Sequence, residues 1–163
     1  MSDPYITDLV DHKNRVAGHI QPMASDLSRR AAIHDNSKFA PEEFDAYQRA
    51  FPELQKHPYG SPEFKAALQT IQPALAHHYA SNDHHPEHFP GGIAQMTLVQ
   101  LVEMLCDWMA ASERSQTDFL RGMEMNRQRF GIGDQLFAVL MNTVAQYAPA
   151  KVSVPPIPAA NNE

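Results

Sequence analysis

Three observations predict an all-α fold of six or seven helices. Apolar residues recur at three-, four- and seven-residue steps through most of the 163 residues, which is the spacing of one helix face. Prolines and capping residues stand where those stretches begin. No alternating apolar–polar segment is long enough to be a strand.

Ile6, Leu9, Val16, Ile20 and Met23 share one stripe, which predicts an amphipathic helix over 5–21 with Pro22 marking its end. Ser25 and Asp26 are placed to cap a second helix carrying Leu27, Ala31 and His34. Pro41-Glu42-Glu43 opens a third, with proline in the first turn and carboxylates at the positive dipole end. It runs to about Phe51, and Tyr59-Gly60 is loop. Ser61-Pro62-Glu63 starts a fourth helix that reaches Tyr79, with a kink at Pro73. Asn82, Pro86, Pro90, Gly91 and Gly92 make 80–95 a loop. Thr97-x-x-Gln100 is a capping box, stapled by Met96 and Leu101, and opens a helix over 97–114. Two more, 116–129 and 134–147, flank Gly131-Ile132-Gly133.

A hydrophobic content of 43% with 20% charged residues is an ordinary globular balance. It predicts one domain over 1–148. The tail over 149–163 is proline-rich and expected to be disordered. No apolar stretch approaches the roughly 20 residues of a membrane span, which argues against a membrane partner. No basic-then-apolar leader opens the chain, and Cys106 stands alone, so the cytoplasm is the expected compartment. Cys106 lacks a nucleophile's motif and reads as core. The net charge of −6 without a Lys/Arg run argues against a nucleic-acid polymer as partner. It leaves room for a small phosphorylated ligand and for a homo-oligomer.

Five of the nine histidines, His77, His78, His84, His85 and His88, fall within twelve residues. His34-Asp35 lies upstream and Asp107 downstream. Imidazole plus carboxylate is a ligand set for a divalent transition metal such as Mn, Co, Fe or Zn. Asp107 stands in Met104-Leu105-Cys106-Asp107-Trp108-Met109, which reads as a buried helix. A carboxylate there needs a cation, a hydrogen bond or a metal. His12 and His19 share the stripe of the first helix seven residues apart, where a histidine is more often a satisfied core residue than a ligand. Asp35-Asn36-Ser37 is also ordinary turn chemistry. Of His77 and His78, at most one is expected to face inward. Either of His84 and His85 can reach a metal from the loop. His88 reads as ligand, outer partner or surface residue.

The pattern His12, His34-Asp35, a histidine at 77 or 78, His84-His85, then Asp107 resembles the HD-domain superfamily of helical metal-binding proteins. His34-Asp35-x-x-Lys38 is similar to the HDxxK stretch of its phosphodiesterase branch. A closer resemblance, over roughly 8–145, is to an uncharacterised HD-like family of bacteria and their phages. It rests on His12-Lys13, on His34-Asp35-Asn36-Ser37-Lys38-Phe39, and on His77-His78 with Asn82. It rests also on His84-His85-Pro86-Glu87-His88 and on Glu103-Met104-x-x-Asp107-Trp108.

The resemblance implies an HD-like helical bundle holding one or two divalent metals. His12, His34, Asp35 and Asp107 would hold the first. His78 and one of His84 or His85 would hold a second, with Asp35 bridging. Asp35 and Lys38 become the catalytic candidates, and Lys38, Asn82 and His88 the candidate substrate contacts. The activity implied is metal-dependent hydrolysis of a small phosphate ester, a nucleotide first among the candidates. A di-iron oxygenase and a non-catalytic metal-containing binding module are the alternatives.

Overall fold

The computed structural model describes residues 3–115 and 118–147. They form seven α-helices and three short 3₁₀ turns, without a strand among the described residues. The predicted tail over 149–163 lies outside them. No described helix is long and apolar enough to cross a membrane. The chain divides into two compact units, Met1–Asn36 and Ser37–Glu163.

The first unit is one long helix, α1 (Pro4–Ile33). Asp3 caps it, its carboxylate accepting from the Tyr5 amide at 2.8 Å, and Pro4 needs no donor in the first turn. The break expected at Pro22 does not occur, because the helix runs through it. Proline removes one helical hydrogen bond and clashes one turn back, but strong helix formers follow at Ala24, Leu27, Arg29, Arg30, Ala31 and Ala32. Asp26 does not cap a second helix. It pairs instead with Arg29 at 2.6 Å and Arg30 at 2.9 Å. Those partners hold the exposed Asp26 carboxyl below its usual range, Arg30 contributing most. No residue of α1 is buried. Its last turn leads into His34 and then Asp35, whose φ of 58° is the only positive value outside glycine among the described residues.

A 3₁₀ turn (Asn36–Phe39) follows Asp35, and the second unit begins within it at Ser37. Helix α2 (Pro41–Leu54) packs against α3 (Pro62–Gln69) and α4 (Gln72–Ser81). Small side chains, Ala50, Ala67 and Ala74, are buried there beside Ile71. The kink expected at Pro73 is a full break. Thr70 and Ile71 separate two helices, and Pro73 sits in the first turn of α4, where its missing N–H costs nothing.

Helices α5 (Leu98–Ser115), α6 (Phe119–Phe130) and α7 (Asp134–Tyr147) share a second core of Leu105, Phe119, Met123, Ile132, Leu140, Met141 and Val144. The capping box forms as expected, with Thr97 N donating to Gln100 Oε1 at 2.7 Å and Gln100 N to Thr97 Oγ1 at 3.3 Å. Gly131 ends α6 in the left-handed conformation, φ 62°. Helix α5 is not buried on every side: Leu101, Met104 and Leu105 face the core, while Val102 and Cys106 are exposed. Cys106 is therefore not a core residue, and Asp107 is half-buried. The three- and four-residue steps from Leu101 select one face, and Val102 and Cys106 fall on the other. Partial burial first, and the Glu103 charge second, push the Cys106 thiol up.

Candidate metal centre

Helix α4 carries His77 and His78 in its last turns. His78 is buried and His77 half-exposed, as the single inward histidine was expected to be. Both rings nonetheless reach one carboxyl group, that of Glu43 on α2. His77 Nδ1 lies 2.8 Å from Glu43 Oε1, and His78 Nδ1 lies 3.0 Å from Glu43 Oε2. Glu43 has no exposed surface.

Asn82 closes α4 with extended backbone. Its amide donates to the His78 carbonyl and to Ser37 Oγ, both at 2.7 Å. Ser37 Oγ is 3.1 Å from His78 Nδ1. The turn before α2 and the end of α4 are thus tied at the histidine.

The chain then folds back so that His84 and His85 approach His78. The His85 amide donates to the Asn82 carbonyl at 3.3 Å, and Pro86 starts a 3₁₀ turn through His88. His88 Nδ1 donates to the Tyr79 carbonyl at 2.9 Å, pinning the loop to α4. From the other side, buried Gln100 donates to Asp83 at 2.7 Å. The His84 and His85 ring centroids are 4.1 Å apart, and those of His78 and His85 are 4.8 Å apart. One ligand atom from each of His78, His84 and His85 lies within 4.8 Å of the others, and Asp107 offers a carboxylate oxygen equally close to His84. His84 Nδ1 is 3.3 Å from Glu103 Oε1, one turn before Asp107 on α5. Both loop histidines join His78, where only one was expected.

The remaining candidates have their own settings. Lys38, in the turn before α2, holds its Nζ 5.5 Å from the centre of the Tyr47 ring. His12 and His19 are exposed on α1. His34 is the C-cap of α1, with Nε2 3.7 Å from Asp35 Oδ2.

The donor set fits a transition metal. Imidazoles converge in a largely buried place, a carboxylate stands next to one of them, and a carboxyl group backs the first. The resemblance did not supply Glu43. The sequence did carry a signal for it: Glu43, Ala46, Ala50 and Leu54 form an inward stripe on α2, so the carboxyl sits where an apolar residue is expected.

Beside this cluster, Tyr79 packs against His85 with ring centroids 5.0 Å apart. Burial, more than the nearby Glu87, pushes the Tyr79 hydroxyl up, and burial does the same for Tyr59. Arg129 opposes both shifts and is itself paired with Glu87 at 2.5 Å.

No curated protein and no solved structure matches the chain. One family does, over residues 1–146, and the chain belongs to it: the family of unknown function DUF5662.

Proposed function

We propose that the protein is a metal-dependent phosphohydrolase acting on a small phosphate ester, with a nucleotide as the first candidate. The convergence of His78, His84 and His85, with Asp107 beside His84, carries this reading. Surface histidines do not need such an arrangement, whereas a bound divalent metal does. The sequence pattern adds His12, His34 and Asp35 to the ligand set.

A divalent metal in such a site activates water for attack at neutral pH. The chain's own part is to hold and orient. His78, His84 and His85 would present ring nitrogens to the metal, and Asp107 would supply negative charge that a metal dication requires. Asn82 fixes the end of α4 through its bonds to Ser37 and the His78 carbonyl. His88 fixes the loop through the Tyr79 carbonyl. Lys38 would neutralise phosphate charge as the P–O bond to the leaving group breaks.

Untagged protein should contain close to one or two equivalents of Mn, Co, Fe or Zn by elemental analysis. It should melt higher with added metal, as mass action requires, and release phosphate from a member of a nucleotide panel. Less than about a tenth of an equivalent, with no thermal shift on adding any of the four metals, would overturn the metal. Bound iron with oxygen consumption and no phosphate release would point to the oxygenase. A tightly held metal with neither activity would point to a binding module.

A further inference from the structure

We propose that Glu43 is a positioning residue that takes an Nδ1–H bond from both His77 and His78, and so holds His78 with its Nε2 lone pair turned to the ligand group. The functional half rests on the metal reading above. The tautomer half stands without it.

Three groups crowd His78 Nδ1: Glu43 Oε2 at 3.0 Å, Ser37 Oγ at 3.1 Å and Asn82 Nδ2 at 3.1 Å. Asn82 has two N–H donors, and better partners take both, the Ser37 hydroxyl and the His78 carbonyl at 2.7 Å each. The amide has no proton left for Nδ1. If Nδ1 carried a lone pair, the Ser37 hydroxyl could donate to it, but Glu43 Oε2 would still face it at 3.0 Å, two acceptors in contact. With a proton on Nδ1, Glu43 accepts it and the conflict disappears.

His77 Nδ1 is likewise 2.8 Å from the other Glu43 oxygen and donates to it. Glu43 is 0% exposed, so neither oxygen faces bulk water. A buried carboxyl is tolerated when its oxygens are used, and here each is used on a different imidazole. A neutral imidazole has one proton. Placing it on Nδ1 leaves Nε2 as an acceptor, and His78 Nε2 points at His85 Nε2, 2.9 Å away. Metal-binding histidines are commonly oriented by a carboxylate on the far nitrogen. Two neighbouring histidines oriented by one carboxyl group also fix how the end of α4 is rotated about its axis.

Long-range ¹⁵N–¹H correlation spectra of histidine-labelled full-length protein, stripped of metal and held at one pH, test the tautomer. Wild type should show His78 protonated at Nδ1, and protonation at Nε2 would overturn the proposal without any variant. Glu43→Gln offers one acceptor oxygen where Glu43 offers two, so at least one of His77 and His78 should change its tautomer pattern. Unchanged patterns for both in a folded variant would also overturn it.

Zinc affinity, read by competition with a chromophoric chelator, tests the function. Glu43→Gln should bind about 10–100-fold more weakly, the usual effect of removing such an outer partner. Equal affinity in a folded Glu43→Gln would refute the positioning role while leaving the metal site standing. Absence of zinc binding by wild type would instead refute the metal reading, and with it the functional half. The spectra would still decide the tautomer.

Discussion

His78 and His85 turn their Nε2 atoms toward each other at 2.9 Å. Two lone pairs do not rest at that separation. A single proton bridges them when one ring donates, and a metal ion relieves the contact by taking both as ligands. The contact is satisfied by one ring's own Nε2 proton, and a metal ion would satisfy it equally.

Replacing His78 or His85 with Ala should each weaken zinc binding by more than about tenfold, since loss of even an outer partner reaches that scale. The double variant should lose less than the product of the two, because ligands to one ion act as a unit. Competition titrations on the four proteins measure this. Affinities equal to wild type in either single variant would remove that ring from the site.

Lys38→Ala should retain metal and lose hydrolysis by about tenfold or more, the value of one charge-assisted phosphate contact. Lys38 also lies over Tyr47, an exposed-type cation–π contact of about 0.5–1 kcal/mol, so a small stability loss is expected as well. Tyr47→Leu removes that contact and leaves the ammonium. Kinetics unchanged in Lys38→Ala, on whichever ester the panel identifies, would leave the lysine outside the reaction.

Much of the fold was legible where local chemistry decides. Thr97 and Gln100 cap α5 as the spacing requires, and Gly131 stops α6. Position 22 misled because a lone proline weakens a helix without ending it when strong formers follow. Thr70 and Ile71 misled in the opposite sense: nothing in their own propensities marks a break between α3 and α4. At the site, the histidines stood out by type and spacing. Glu43 did not, because a glutamate in a first turn already has a reason to be there, the helix dipole. Its second reason lies 34 and 35 residues away in His77 and His78.

Alkaline pH should destabilise the protein through Tyr59 and Tyr79. Both hydroxyls are pushed up by burial, so the folded chain keeps protons that the unfolded chain releases near the ordinary value of about 10. Their contribution is complete below about pH 10 and is lost as pH rises through the folded values. Denaturant midpoints from about pH 9 to about pH 11 should fall in wild type and fall less steeply in the Tyr59→Phe, Tyr79→Phe double variant. Equal slopes would exclude these two hydroxyls as the cause.

The two faces of α5 should respond differently to truncation. Met104 and Leu105 are 1% and 2% exposed, and replacing either with Ala should cost about 2–5 kcal/mol. Val102→Ala and Cys106→Ala, on the exposed face, should each stay within about 0.5 kcal/mol. Urea midpoints at constant slope give the comparison. A large loss at Cys106 would mean that this face is covered in solution.

The positive φ of Asp35 limits which side chains that position tolerates. Left-handed backbone admits glycine freely and asparagine or aspartate with little penalty, and it resists most other side chains. A carboxylate that serves as a ligand imposes a separate demand, for negative charge at a set reach. Glycine satisfies only the first demand and glutamate only the second, while asparagine keeps the backbone and one neutral oxygen. In a saturation library selected first for abundance and then for activity, position 35 should therefore give two different profiles. Gly and Asn would survive the first selection, and neither would survive the second. A position held only for its turn would give the same profile twice.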